Sequence, residues 1–482
     1  MAAFEPVIGL EVHAELQTRS KMFCACAVVD LTQSTPNTAV CPVCAGMPGT
    51  LPVANRMAVE YALRVALALD CQINHTSVFA RKNYFYPDLP KGYQITQYEQ
   101  PLAEHGTLAF RTAHGERTVR VRRVHLEEDT GKLSHVDGGS LVDLNRAGVP
   151  LLEIVSEPDL RSAEEARLYA EALRDILRYL GVNSGDMEKG VIRFEANVSI
   201  RPSGAQELGL RAEIKNLNSF RALERAAAFE IERQARVLSD GGKVQQETLG
   251  WDDVQERTYS QRSKEEAHDY RYFPEPDLPP LVVDDSWIEQ VRLGLPELPL
   301  TKFHRFVRQY GLSEYAADRL VEQRSLADYF EQAAQTGLAS ARSVANWMVG
   351  ELYAVANQAG AGTDDLKVSP QALAELVALV ERGDINQSTG KDVLAEMYAT
   401  GARAAQIVAA RGLKQVSDAD LIGRIVSEAL AENPREVASY KAGKSGVANF
   451  LFGQAMKKAA GQADPRIVKA ELERQLHQIA NS

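Results

Sequence analysis

Two kinds of side chain in this 482-residue sequence could do chemistry: carboxylates set into apolar, strand-like runs, and four cysteines gathered between residues 24 and 44. The densest acidic run is Val124-His125-Leu126-Glu127-Glu128-Asp129. If Arg122 to Asp129 is extended, its side chains alternate between two faces. Arg122, Val124, Leu126 and Glu128 share one face; Arg123, His125, Glu127 and Asp129 share the other, which reads as solvated and self-neutralising. A buried, unpaired carboxylate beside Val124 and Leu126 is costly, so Glu128 is expected to be protonated, paired or bound to a metal. An edge strand with Glu128 at its frayed end accounts for this segment alone equally well.

The same tension recurs elsewhere. In Val7 to Leu16, Ile8, Leu10, Val12 and Leu16 alternate with Glu11, His13 and Glu15. A half-buried strand explains that pattern, yet Glu11 and His13 point the same way and could converge on one cation. Glu153 is embedded in the apolar run Leu151-Leu152-Glu153-Ile154-Val155. The pairs Cys24/Cys26 and Cys41/Cys44 have the spacing of two knuckles of a closed tetrahedral zinc site. Buried thiols or redox pairs are the alternatives. A redox Cys-x-x-Cys opens a helix, whereas Pro42, Gly46, Pro48 and Gly49 make these surroundings turn-rich, which favours structural zinc. Cys71 reads as a small core residue.

Arg81-Lys82-Asn83-Tyr84-Phe85-Tyr86 and Asp269-Tyr270-Arg271-Tyr272-Phe273 interleave cations with aromatics, as suits stacking plus phosphate contact or an aromatic loop packed on a sheet. Lys215-Asn216 precedes Ser219, a candidate N-cap of a helix ending near Gly241-Gly242; such an N-terminus can hold phosphate. Gly443-Lys444-Ser445 is not a P-loop, because Ala438 stands where the required earlier glycine belongs.

The elements that must position these residues fall into a consistent order. Residues 54–70 have helical periodicity, Ser162 to Glu165 is a capping box, and Ile192 to Arg201 alternates as a strand. Beyond about residue 295 alternation gives way to Ala- and Leu-rich helical segments at 313–335, 340–358 and 369–382. Boundaries are expected near Leu293–Pro296 and Arg411–Val416, giving domains 1–293, 294–411 and 412–482. The class is α+β. A net charge of −11 excludes a generally basic nucleic-acid-coating protein, though not local basic patches. No run of about 18 uncharged apolar residues suggests a membrane span. With no basic-then-apolar leader after Met1, the expected compartment is the cytoplasm, where clustered cysteines point to metal rather than disulfides.

Val7 to His13, Arg81 to Asp88, Leu126 to Lys132, Val142 to Arg146, Glu153 to Asp159, Lys215 to Phe220 and Asp269 to Asp277 together resemble, in order, the B subunits of bacterial aspartyl/glutamyl-tRNA amidotransferases. The resemblance spans the chain and implies a cradle-shaped catalytic domain with a mixed or antiparallel sheet, an all-α domain and a YqeY-like, tRNA-interacting tail. It implies ATP-dependent phosphorylation of the side-chain carboxylate of Glu-tRNA(Gln) or Asp-tRNA(Asn), then amidation by ammonia. The ammonia comes from the glutaminase, or A, subunit, and a small C subunit stabilises the assembly. The resemblance implies that Glu11, His13, Glu128 and Glu153 surround Mg²⁺, and offers Lys82, Tyr84, Lys215 and Asn216 for substrate or phosphate contacts. Glu195 stands where the family is expected to have aspartate. The chain lacks the Ser-Ser-Lys amidase signature, so the ammonia-producing site is expected elsewhere. A noncatalytic, zinc-containing tRNA-binding scaffold and a metal-dependent hydrolase are the competing classes.

Overall fold

A computed structural model describes residues 4–263, 269–362, 365–414, 419–459, 463 and 465–480. The chain divides into two compact units, Met1–Thr301 and Lys302–Ser482. The break lies a few residues beyond the expected Leu293–Pro296, and Leu295 and Leu298 still pack against the first unit's core. The boundary expected near Arg411–Val416 runs into residues outside the described ones.

The first unit is organised by a nine-stranded sheet. At its middle lies the strand Phe4–Glu15, flanked by Pro150–Ser156 on one side and Ile192–Pro202 on the other, both antiparallel. Outward from Pro150–Ser156 come Gly115–Glu128, Ala103–Thr112 and Gln72–Ile73; outward from Ile192–Pro202 come Ala212–Leu217, Glu247–Asp252 and Arg257–Ser263. Ala212–Leu217 and Glu247–Asp252 run parallel, so the sheet is mixed. Together with the helices this makes an α+β fold.

Period-two alternation decides what each face does. Ile8, Leu10, Val12 and Ala14 are buried in one core with Val124, Leu126, Leu152, Ile154, Phe194 and Ala196. Full burial of each large aliphatic or aromatic side chain contributes about 1.5–3 kcal/mol. The helices Arg56–Ala68, Ala163–Tyr179 and Phe220–Ser239 bury their apolar stripes in the same core. Ser162 Oγ accepts from Glu165 N at 3.0 Å, while the Glu165 carboxylate reaches back to Arg161 N at 2.7 Å. Ser219 caps its helix through Ala222 N at 3.0 Å. These caps satisfy amide donors that a helix start leaves unpaired. The opposite, polar face is left to form a cavity, and one wall of it is a small sheet in which Phe79–Asn83 lies between Phe273–Pro274 and Tyr93–Gln97.

The second unit, by itself, is helical over its described residues. One core runs from Phe303 to Val408 and another from Ile422 to Leu476. The expected segment 313–335 is two helices, Glu314–Val321 and Arg324–Gln335, and 340–358 contains a π-helical turn at Met348–Leu352. Among the described residues, no helix is long and apolar enough to cross a membrane.

Gly106 shows how tightly the sheet edge meets the first helix. A Cβ there would lie 2.3 Å from Cys71 Sγ and 2.6 Å from the Leu69 carbonyl oxygen, which already accepts from Thr107 N at 2.7 Å. Gly106→Ala should therefore destabilise the chain by about 1–3 kcal/mol through overpacking. Denaturant unfolding of the two proteins checks this; equal midpoints would contradict it.

Candidate active site and thiol cluster

Register across four strands builds the site. His125 lies opposite Glu153, Glu153 opposite His13, and His13 opposite Arg193. Two residues along, Glu11 lies opposite Glu195. These side chains share the polar face and line a cavity of about 840 Å³. Glu153 Oε2 sits 3.4 Å from both His13 Nε2 and His125 Nε2, and Glu127 Oε1 is 3.7 Å from His13 Nε2. One ligand atom each from His13, Glu127 and Glu153 lies within 4.8 Å of the others; Glu11, Glu195 and Glu213 form a second such group. Glu11 and His13 thus share a face as expected but belong to adjacent groups.

The electrostatics are those of a site short of positive charge. Burial raises the Glu11 carboxyl above its ordinary range, and the charges of Glu153, Glu195 and Glu213 raise it further. Burial and then Glu153 do the same to Glu127. Burial opposes the charged forms of Glu153 and His13 as well. Nevertheless His125 and His13 hold Glu153 low, and Glu153 lifts His13 to about 9. Glu195 is held low by the Lys215 ammonium at 2.8 Å, against its burial. Near this floor, Asn197 donates to Glu11 Oε1 at 2.9 Å while its own amide oxygen is buried without a partner, as is His125 Nδ1. Hard carboxylate oxygens with one imidazole nitrogen suit a magnesium- or manganese-like cation.

Glu128 is not part of this floor. It shares a face with Val124 and Leu126, as alternation requires, but that face turns away from the cavity. Its Oε1 accepts from Ile95 N at 3.0 Å and from the Lys91 ammonium. Glu127 occupies the place expected of Glu128. The face expected to be solvated carries His125, Glu127 and Asp129, each only 2–5% exposed. The small sheet and the neighbouring strands enclose that face, so its polarity marks a cavity instead of bulk water. A signal was present in the sequence: Glu11, His13, Glu153 and Glu195 all oppose apolar neighbours on their strands, and by the same rule Glu127 joins them.

Lys82 lines the cavity 5.0 Å from the Tyr270 ring; burial disfavours its charge, but Glu127, Tyr272, Glu153 and Tyr270 together outweigh that. Tyr84 lines it too, its phenol pushed up by burial. Lys215 bridges Glu195 and Glu213 at 2.8 and 3.3 Å. Asn216 is not brought to the cavity. It is exposed, with a left-handed φ of 61°, beside the register shift opposite Phe194–Ala196. Sequence reasoning missed Glu213 and Arg193; Arg193 lies on the same alternating strand as Glu195, but its partner Asp129 is on a strand distant in sequence. Arg193 binds Asp129 at 2.9 Å and helps keep that carboxyl low against its burial.

Between the first strand and the first helix, the four cysteine sulfurs converge within 4.8 Å. Cys44 Sγ lies 3.9 Å from Cys26 Sγ and from Cys41 Sγ. A tetrahedral ion with metal–sulfur bonds of about 2.3 Å needs sulfurs about 3.8 Å apart. Cys24 and the Cys41 amide donate to Cys44, and the buried Lys21 ammonium lies 3.6 Å away, so Cys44 is held as a thiolate despite its burial. Cys71 is buried apart from this group.

Residues 6–289 match a family model described as the GatB/GatE catalytic domain, and residues 328–476 match one described as the GatB domain. Three relatives are named as the B subunit of aspartyl/glutamyl-tRNA(Asn/Gln) amidotransferase. That of Myxococcus xanthus is 52% identical, covering 98% of each chain. That of Persephonella marina is 50% identical, covering 98% of this chain and 99% of the relative. That of Moorella thermoacetica is 51% identical, covering 98% of this chain and all of the relative.

The sulfur geometry makes its own prediction. Cys44→Ser should reduce bound soft divalent metal well below one ion per chain and lower the thermal midpoint with it, because a thiolate metal site contributes directly to folding. Elemental analysis beside a melting curve tests this, and a metal-free parent of equal stability would sink it.

Proposed function

The chain belongs to the GatB/GatE family, and we propose that it is the carboxyl-activating member of a multisubunit, tRNA-dependent amidotransferase. In this reading the side-chain carboxylate of glutamate on tRNA(Gln), or of aspartate on tRNA(Asn), attacks the terminal phosphorus of ATP and ADP leaves. Ammonia from the glutaminase (A) partner then adds to the acyl phosphate, and phosphate departs with the oxygen, leaving the amide. The first step is needed because oxide is too poor a leaving group for ammonia to displace. The small C partner completes the assembly.

The observation that carries this reading is the pair of adjacent ligand groups on one cavity floor. His13, Glu127 and Glu153 would hold one divalent ion; Glu11, Glu195 and Glu213 would hold another. Such ions, Mg²⁺ here, supply charge neutralisation at the transferring phosphoryl group. The rest is done by the protein. His125 and His13 orient Glu153 from both sides. Lys215 offsets Glu195 and Glu213, and Lys82 presents a cation from the opposite wall beside Tyr270. Tyr84, Tyr270 and Tyr272 line the wall where a base or the acceptor end of a tRNA could stack. A scaffold without chemistry would have no use for so many carboxylates in one cavity. A hydrolase would require neither ATP nor aminoacyl-tRNA.

The four cysteines would hold a structural zinc ion outside the reaction. The division 1–293, 294–411 and 412–482 belongs to the same reading, with catalysis in the first part and tRNA contact in the last.

Glu127→Gln keeps size and removes the charge beside His13. Amide formation on Glu-tRNA(Gln) by the assembled complex should fall by about two to three orders of magnitude, as when a transition-state charge partner is lost. Glutamine hydrolysis by the partner should persist. An unchanged rate with unchanged Mg²⁺ dependence would remove Glu127 from the ligand set.

The tail offers a separate test. Between Arg435 and Lys469 the sequence has seven cations against two carboxylates, Glu436 and Asp464, of which Asp464 lies outside the described residues. Lys458 is already engaged by Glu428 at 3.2 Å and by Glu432. Phosphate contacts make binding salt-dependent. Deleting residues 412–482 should weaken tRNA binding and flatten its salt dependence. Titrations at several salt concentrations decide it, and identical affinity and slope would exclude the tail as a contact.

A further inference from the structure

We propose that Glu128 is a positioning residue, a strut that couples the placement of the Glu127 carboxylate to the integrity of the four-thiol knuckle. This rests on Glu127 being a metal ligand, as in the reading above.

Glu128 is 3% exposed, and one oxygen of its carboxylate is held on the side away from the active site. Its Oε1 accepts from Ile95 N at 3.0 Å and from the Lys91 ammonium, and its carbonyl accepts from Gln94 Nε2 at 2.7 Å. The acidic strand is thereby fastened to the segment Lys91–Ile95. That segment is in turn pressed against the knuckle. Gly46, two residues after Cys44, has φ +68°, and a Cβ on it would lie 2.9 Å from Lys91 N and Cγ. No side chain separates the knuckle's turn from Lys91.

A second contact closes the loop. Gly148 has φ +84°, and a Cβ there would lie 3.5 Å from Cys44 Cβ, 3.6 Å from Lys21 Cδ and 3.8 Å from Glu128 Oε2. Its amide donates to the Asp129 carbonyl at 2.9 Å, and its own carbonyl accepts from Met22 N at 2.7 Å. A cavity of about 210 Å³ lies here, lined by Cys24, Cys44, Gly46, Lys91, Glu128 and Gly148. On the strand, Glu127 and Asp129 immediately flank Glu128 and point to the other face, into the active site. Displacing Glu128 therefore shifts the backbone that aims Glu127. Groups that orient a metal ligand from behind typically contribute about 10–100-fold in metal affinity.

The test uses the full-length chain assembled with its partner subunits and reads Mn²⁺ binding by electron paramagnetic resonance, independently of turnover. Glu128→Gln, an isosteric change, and Lys91→Met should each weaken Mn²⁺ binding by about 10–100-fold. The double variant should be no weaker than either single, since both break one pair. Lys91→Arg should restore most of the affinity. Glu128→Gln should keep the parent's zinc content and a cooperative unfolding transition, which separates a strut from a general loss of structure. Cys44→Ser should weaken Mn²⁺ binding in the parent but add nothing in the Glu128→Gln background. Parent-like Mn²⁺ affinity in Glu128→Gln overturns the strut. So do losses from Lys91→Met and Glu128→Gln that multiply, or an undiminished Cys44→Ser effect in the Glu128→Gln background. Glu127→Gln is the control for the underlying reading: if it binds Mn²⁺ as the parent does, Glu127 is not a ligand and the whole assignment falls.

Discussion

Confining like charges in one cavity is the constraint on which the rest of this structure depends. Glu11, Glu195 and Glu213 place one oxygen each within 4.8 Å of the others, and Glu127 and Glu153 meet beside His13 under the same limit. At an effective dielectric of about 20, two full charges at such a separation repel by about 3–4 kcal/mol. No folded chain keeps such an arrangement without counter-charges. His13 and Lys215 provide part of them in direct contact with the carboxylates, and Lys82 adds a longer-range share. Burial and mutual repulsion still raise Glu11 and Glu127. That residual deficit of positive charge is what makes the cavity receptive to cations.

The sheet enforces the confinement. A strand cannot move one side chain without moving every second one, so the apolar residues that lock Phe4–Glu15 into the core also lock Glu11 and His13 into the cavity. Antiparallel pairing then aligns His125, Glu153 and His13 across three strands. Helices cover only the apolar face. The small sheet carrying Lys82 rises over the other, so the cavity gains a cationic and aromatic wall opposite an acidic floor. In the proposed function, that pairing of surfaces is what would receive a phosphorylated, base-bearing substrate.

At the end of the acidic strand, two neighbouring carboxylates do different work because they face opposite ways. Glu127 looks into the cavity; Glu128 looks toward the thiol cluster and is tied to Lys91 and Ile95. In the proposed strut, the thiol cluster bears on where the Glu127 carboxylate sits. Gly46 is the position where this depends on the absence of a side chain, and both Gly46 and Gly148 use the left-handed conformation that glycine adopts without penalty.

The sequence by itself determined much of the local architecture. Alternation identified the strand through Glu11 and His13 and the one through Glu195, helical spacing identified residues 54–70, and Ser162 and Ser219 marked helix starts, because period and capping are local properties of the chain. The cysteine spacing likewise anticipated the convergence of four sulfurs. Ordered motifs were enough to identify the family, since their order survives without knowledge of contacts. Only the tertiary structure decided which face of the acidic strand was enclosed. Alternation separates Glu127 from Glu128 but does not say where the other strands and the small sheet lie, so the face expected to be solvated proved to be the cavity face. Glu213 and Arg193 became part of the site, and Asn216 did not, through strand register and a local register shift between segments distant in sequence. Those are pairings between strands, and no single strand's pattern encodes them.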